Sequence, residues 1–226
     1  MTSISNRLQV ILSAIQAAKR PEHAAQSVQL LVVSKAQSAT AIREAYAAGQ
    51  RHFGENYLQE ALDKQAQLSD LAITWHFIGP IQSNKTQLIA QHFDWVHGID
   101  RPKIAMRLND ARAKHSKPLQ VCVQVNISHE PSKSGVLVAD LEALVATIAR
   151  LPHLQLRGLM AIPAPSQNIN IQTQQFKQVR ECYDNLLAKA YALDTLSMGM
   201  SDDYPIAIQQ GATIVRIGSA LFGARK

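Results

Sequence analysis

Residues 195–225 read TLSMGMSDDYPIAIQQGATIVRIGSALFGAR, and the fold is decided in this stretch. A short apolar run, Leu196, Met198 and Met200, stops at Ser201. With that serine as cap, two acids in the first turn, Pro205, an apolar stripe and then Gly211 make a pattern that predicts a capped helix. A second strand-like run, Thr213 to Ile217, breaks at Gly218-Ser219 and enters another short helical segment. Two strand ends thus lead at once into helix N-termini carrying small or hydroxyl residues. Exposed amides and the positive end of a helix favour an anion there. Two ordinary capped helices of an α/β protein would leave the same pattern.

Upstream of this stretch, strand-like and helix-like segments alternate. Strands are expected near 28–35, 50–55, 73–79, 95–100, 119–126, 154–162, 195–200 and 213–218. Helical patterns lie between them near 39–48, 56–69, 82–92, 101–116, 137–151, 170–190 and 202–210. Residues 3–20 add a further amphipathic helix, with Ile4, Leu8, Ile11, Leu12 and Ile15 at helical spacing and Pro21 beyond its end. Strands joined by helices imply parallel pairing, and eight repeats imply a closed (β/α)8 TIM barrel with an extra N-terminal helix. A doubly wound open sheet is the alternative, but no GxGxxG follows the first strand. In such a barrel the loops after strands seven and eight are the usual phosphate site, which points to Ser201, Gly218 and Ser219. The expectation is one domain over 1–226, with no second domain after the barrel.

Composition narrows the function classes. The chain has 226 residues, 46% of them hydrophobic, and a net charge of +6. Its basic residues are spread out except for Arg101, Lys103, Arg107, Arg112, Lys114 and Lys117, read as a solvated helix face without the aromatic residues that base stacking needs. Cys122 and Cys182 lack CxxC spacing, and Cys122 reads as a buried thiol. No histidine or cysteine pair stands at metal-ligand spacing, and there is no GxSxG elbow. Without a signal peptide or a membrane-length apolar run, the expected place is the cytoplasm, and a monomer is the expected state.

In a barrel, function gathers at the C-terminal ends of the strands. Lys35 closes the apolar run Leu30-Leu31-Val32-Val33, where desolvation favours a neutral, nucleophilic amine; a lysine snorkelling to solvent is the plainer reading. An amine facing a phosphate cradle across one opening suits pyridoxal phosphate. Arg216 precedes Gly218 by two, so alternation sends both toward the mouth. Its guanidinium, which keeps its protons, would donate to the pyridine nitrogen and leave the ring a weak electron sink. A structural ion pair with Asp202, Asp203 or Glu55 is the competing role. Asn56, after FGE, suits either a ring hydroxyl or a helix cap. His76 within WHFIG reads as a lone core histidine, and Lys133 in HEPSKSG as an exposed loop lysine.

The segment WHFIGPIQSNKTQLI (75–89), together with VVSK (32–35), RHFGENYLQE (51–60), SKSG (132–135), GLMAI (158–162), MGMSDD (198–203) and VRIGSALFG (215–223), resembles the pyridoxal phosphate homeostasis proteins. These are single-barrel relatives of the alanine racemase N-terminal domain. The resemblance runs from about residue 28 to the C-terminus. It implies a (β/α)8 barrel with pyridoxal phosphate held as an aldimine on Lys35 and released by transimination. Phosphate contacts would fall on Ser201, Gly218 and Ser219, with Arg216 at the ring nitrogen and Asn56 on the ring. Family members are thought to bind, buffer and hand on the cofactor to apo-enzymes rather than turn over a substrate. One departure is SKAQS where bacterial members often read SKTKP, so Gln37 replaces a second lysine; Lys133 matches a lysine that serves some members as a secondary hold. Rival readings are an amino-acid racemase, which needs a second acid/base on the other ring face, a phosphosugar enzyme with an aldolase-type lysine, and a nucleic-acid binder.

Overall fold

The computed structural model describes residues 3–20, 27–128 and 134–223. Eight parallel strands close into a barrel in chain order: β1 (Gln29–Val33), β2 (His52–Glu55), β3 (Thr74–Phe77), β4 (Trp95–Ile99), β5 (Leu119–Val125), β6 (Leu154–Ala161), β7 (Thr195–Ser197) and β8 (Ile214–Ile217). β8 returns to β1 with Val215 opposite Leu30 and Ile217 opposite Val32, so neither strand is left as an edge. The helices between strands are α2 (Ala39–Ala47), α3 (Leu58–Gln67), α4 (Thr86–His92), α5 (Pro102–Arg112), α6 (Val138–Ile148), α7 (Ile169–Ala188) and α8 (Tyr204–Gln209).

The strand after which a full covering helix is missing is β8, because α9 (Ser219–Phe222) is a single turn. The N-terminal helix α1 (Ile4–Ala17) fills that gap and packs against α9, α2 and α8. Ser3 caps it by accepting from the Asn6 amide, and Leu8, Ile11 and Ile15 at helical spacing are buried. Each such side chain contributes roughly 1.5–3 kcal/mol by leaving water. The helix expected only to cover something therefore completes the outer ring.

Alternation along the strands separates two layers. Leu30, Val32, Phe53, Trp75, Phe77, Val96, Val121, Val123, Val215 and Ile217 belong to the main core, which lies between strands and helices. The inward positions hold a small apolar cluster of Leu31, Ile78 and Ile214, and beside it the buried polar residues His76, His97, Ser197 and Arg216. That lumen departs from the branched apolar filling usual in such barrels.

Three expectations from the sequence are corrected. β7 stops at Ser197 rather than 200, and the turn that follows needs Gly199 at φ +92, where a Cβ would lie 2.6 Å from the Ala207 Cβ. Ser201 does not cap α8: Asp203 holds the N-cap position, and its carboxylate accepts from the Met200 amide at 2.6 Å. The basic run of α5 is not one solvated face. Arg112 is buried and donates to the carbonyls of Ala90, Phe93 and Lys117, which ties the end of α4 to the loop before β5. No helix among the described residues is long and apolar enough to cross a membrane.

Candidate functional site at the barrel mouth

β1 ends at Val33, and the chain turns through Lys35 and Ala36, with Gln37 donating its amide to the Ser34 carbonyl. Ala36 sits at φ +59, an unfavourable left-handed conformation for a residue with a Cβ. A buried ionic cluster holds it there. Glu60 accepts from the Ala36 amide at 2.6 Å, and Lys64 Nζ donates to Glu60, to Glu55 Oε1 at 2.7 Å and to the Ser34 carbonyl at 2.6 Å. Ser34 Oγ donates to the same Glu55 oxygen at 2.6 Å. Burial pushes the Glu55 carboxyl above its ordinary range, while the Lys64 and Ser34 hydrogen bonds pull the other way. Glu55, expected as a possible partner of Arg216, is instead the anchor beneath Lys35.

On the far side of the same opening stand the ends of β7 and β8. Ser219 Oγ donates to Ser201 Oγ at 3.1 Å, so the two hydroxyls share one place. The amides of Ser201, Asp202, Ser219 and Ala220 make no backbone hydrogen bond to a described residue. They and the two hydroxyls form a donor-rich lip suited to an oxyanion. Gly218 packs close to β1: a Cβ there would meet the Val33 carbonyl oxygen at 3.0 Å.

Arg216 lies between these halves. Its Nη1 donates to the Ser197 carbonyl at 2.6 Å and to Ser197 Oγ at 2.9 Å, and its Nη2 to the Ala161 carbonyl at 2.8 Å. Three of its five N–H protons are engaged in the barrel wall, which leaves the Nε–H and one Nη2–H for a ligand. Burial lowers its pKa to about 10, opposed by the field of Asp203, so it remains a cation at neutral pH. Among the described residues no carboxylate comes within ion-pair distance of it, which removes the competing ion-pair role.

One cavity of about 200 Å³ is lined by Lys35, Ser201, Arg216, Gly218 and Ser219, with Val33, Gln37, Met200, Asp202 and Gly223. Five of the six residues singled out from the sequence therefore meet. Asn56 does not line this cavity. It borders a second hollow with Ile78, Pro80, Gln124, Ser134 and Ile162, which shares no lining residue with the first. It does not cap α3 either, and its buried Oδ1 has no hydrogen-bond partner among the described residues. Gly79 secures its backbone, since a Cβ at 79 would sit 2.2 Å from the Asn56 carbonyl oxygen. Lys133 lies outside the described residues.

Reasoning from the sequence missed the neighbours of Arg216. His76 is not a lone histidine: its Nδ1 is 2.9 Å from His97 Nε2 and its Nε2 3.0 Å from His52 Nδ1. His97 Nδ1 in turn lies 2.9 Å from Ser197 Oγ. Burial, with the Arg216 charge second, pulls the His97 pKa down to about 3, and burial keeps His76 well below the usual imidazole value. The one available signal was that His52, His76 and His97 fall on inward positions of three successive strands. Cys122 is buried as expected, and desolvation raises its pKa to about 12. No group of three or more metal-ligating side chains occurs among the described residues.

Comparison with known proteins places this geometry among relatives. The family model described as the alanine racemase N-terminal domain matches residues 12–226. A protein of Pseudomonas aeruginosa named pyridoxal phosphate homeostasis protein is 55% identical over 226 residues, covering 100% of this chain and 97% of its own. One of the same name from Escherichia coli K12 is 50% identical over 229 residues, covering 100% of this chain and 98% of its own. The solved structure of PipY from Synechococcus elongatus PCC7942, with PLP bound, is 42% identical with a TM-score of 0.87, covering 98% of this chain and all of that one.

Proposed function

The chain belongs to the alanine racemase N-terminal-domain family and, within it, to the pyridoxal phosphate homeostasis proteins, and on that premise we propose that it binds pyridoxal phosphate at the barrel mouth and serves to store it and hand it on. The observation that carries this is the single cavity in which an amine from the end of β1 faces the donor-rich lip of β7 and β8, with a guanidinium between them. A second feature is Asn56 Oδ1, buried beside a second hollow and without a partner among the described residues, an acceptor that a donor such as a ring hydroxyl would satisfy.

In this reading the cofactor supplies an aldehyde that condenses with amines, and the chain supplies everything else. The Lys35 amine takes the aldehyde carbon with loss of water, and a competing amine displaces Lys35 when the cofactor is passed on. Ser201, Gly218 and Ser219 hold the phosphate through hydroxyls and free amides. Arg216 presents N–H groups to the ring nitrogen and, keeping its own protons, leaves that nitrogen unprotonated. That arrangement disfavours carbanion chemistry and agrees with a carrier rather than a turnover enzyme. A single-barrel, monomeric, cytoplasmic carrier whose recipients are apo-enzymes belongs to the same reading.

The test is chemical. After incubation with pyridoxal phosphate and borohydride reduction, peptide mass analysis is expected to find one pyridoxyl group, on Lys35. A protein that stays colourless and unlabelled, or is labelled elsewhere with Lys35 unmodified, refutes the proposal.

A further inference from the structure

Behind Arg216, and away from the cavity, a continuous run of side chains crosses the barrel interior. From the guanidinium it passes to Ser197 Oγ (2.9 Å), His97 Nδ1 (2.9 Å), His76 Nδ1 through His97 Nε2 (2.9 Å), and His52 Nδ1 through His76 Nε2 (3.0 Å). Ser197, His76 and His97 are wholly buried; His52, at the start of β2, is partly exposed. Trp95 stacks on His76 with ring centroids 5.3 Å apart and 16° between planes, which holds that imidazole in orientation. The titratable groups that act on the run are Asp94 at His52, Asp203 and Cys122 at Arg216, and Arg157, whose guanidinium lies over the Trp95 ring at 4.8 Å.

The donors fix the direction of the run. A guanidinium has only donors, so Ser197 Oγ must accept from Arg216. If His97 also donated to that oxygen, the buried Ser197 hydroxyl proton would have no acceptor, and an imidazole N–H would point at a cation. The run in the other sense gives the protons of Ser197, His97 and His76 an acceptor each. Ser197 O–H then donates to His97 Nδ1, His97 Nε2–H to His76 Nδ1, and His76 Nε2–H to His52 Nδ1. Every imidazole is neutral, and every lone pair faces the positive end.

We infer that Ser197, His97 and His76 are positioning residues that set the place of the Arg216 guanidinium through a one-way chain of hydrogen bonds, with both buried imidazoles in the Nε2–H form. The chain takes one Nη1–H of Arg216 beside the two N–H groups held by the Ser197 and Ala161 carbonyls, and so leaves the Nε–H and one Nη2–H for the mouth. Its effect on a bound ring rests on the reading of the site given above; the direction of the chain does not.

Long-range 1H–15N correlation spectra of the ligand-free protein, labelled with 15N-histidine, read the tautomers directly. His76 and His97 are expected as Nε2–H forms with unprotonated Nδ1, without titration between pH 5 and 9. An Nδ1–H form at either residue, or titration of His97 in that range, overturns the inference. The second arm uses Ser197→Ala and Ser197→Thr with pyridoxal phosphate bound. The alanine variant is expected to move the absorption band of the bound cofactor and to let His97 exchange between tautomers. The threonine variant, which keeps the hydroxyl, is expected to restore both. If the alanine variant shows the wild-type band, the three residues are structural only and the positioning role is refuted. Should threonine not be accommodated, Ser197→Cys in the same two measurements decides the point, since its weak S–H is expected to give a band between those of wild type and alanine, and a wild-type band refutes the role. Failure of the wild-type protein to bind pyridoxal phosphate would refute the site reading, while the tautomer spectra would still judge the chain.

Discussion

Lys64 touches no part of the cavity, yet removing its charge is expected to damage both stability and cofactor retention. Its ammonium is buried against Glu55, which is wholly inaccessible, and donates to three oxygens. Lys64→Met would leave the Glu55 carboxylate with only the Ser34 hydroxyl, because its second oxygen has no partner. Breaking a buried pair from one side costs about 3–5 kcal/mol. For a chain of this length that corresponds to a Tm lowered by roughly 10 °C. The penalty also has a pH signature. The Glu55 carboxyl is already raised by burial, so its contribution is fullest below the ordinary carboxylate range and declines as pH rises through its folded value. Without Lys64 the folded value rises further. The carboxyl is then more readily protonated in the folded state at pH 5.5 than at pH 8, and the penalty should widen with pH. Urea unfolding of the ligand-free variant at both pH values measures this, and a double-mutant cycle with Glu55→Gln isolates the pair. The Ala36 turn is held by the same cluster, so retention of pyridoxal phosphate should fall as well. A loss below about 1 kcal/mol at pH 8, or an equal loss at both pH values, would refute the account, since either requires that the buried carboxylate never needed its partner.

Further outcomes follow from single residues. Arg216→Gln is expected to shift the absorption band of bound pyridoxal phosphate, and to destabilise the ligand-free protein by about 1–3 kcal/mol as buried acceptors on Ser197 and Ala161 lose donors; a superimposable spectrum removes Arg216 from the ring. Asn56→Ala should leave the ligand-free Tm equal or slightly raised, because the buried oxygen it deletes has no partner, while cofactor dissociation becomes faster. Unchanged dissociation in that variant would detach Asn56 from the ring. Cys122, its thiol raised to about 12, should resist a thiol reagent at pH 8 until the protein unfolds. Labelling at the rate of an exposed cysteine would show that the lumen admits solvent.

The barrel, and the meeting of five of the six singled-out residues in one cavity, were legible along the chain for a physical reason. Strand and helix periods, the turn residues at 199–203 and 218–219, and the lysine closing an apolar run are local patterns, and parallel strands separated by helices leave few ways to close. Local pattern also determined that Arg216 and Gly218 share a direction, because alternation along one strand needs no partner. What it could not determine was which inward side chains face each other across the lumen. That depends on register and closure among strands up to a hundred residues apart: His97 meets Ser197 only because β4 and β7 look at one another across the interior. The same holds for Glu55, whose chemistry in isolation allowed a bond to Arg216 but whose place beside α3 gave it to Lys64. For Arg112, a helix-face cation by spacing alone, three carbonyl oxygens from other segments made burial tolerable. Sequence set what each element offered, and tertiary structure decided which buried polar groups would find partners, since an unpaired charge or hydroxyl in a dry interior is too costly to leave to chance.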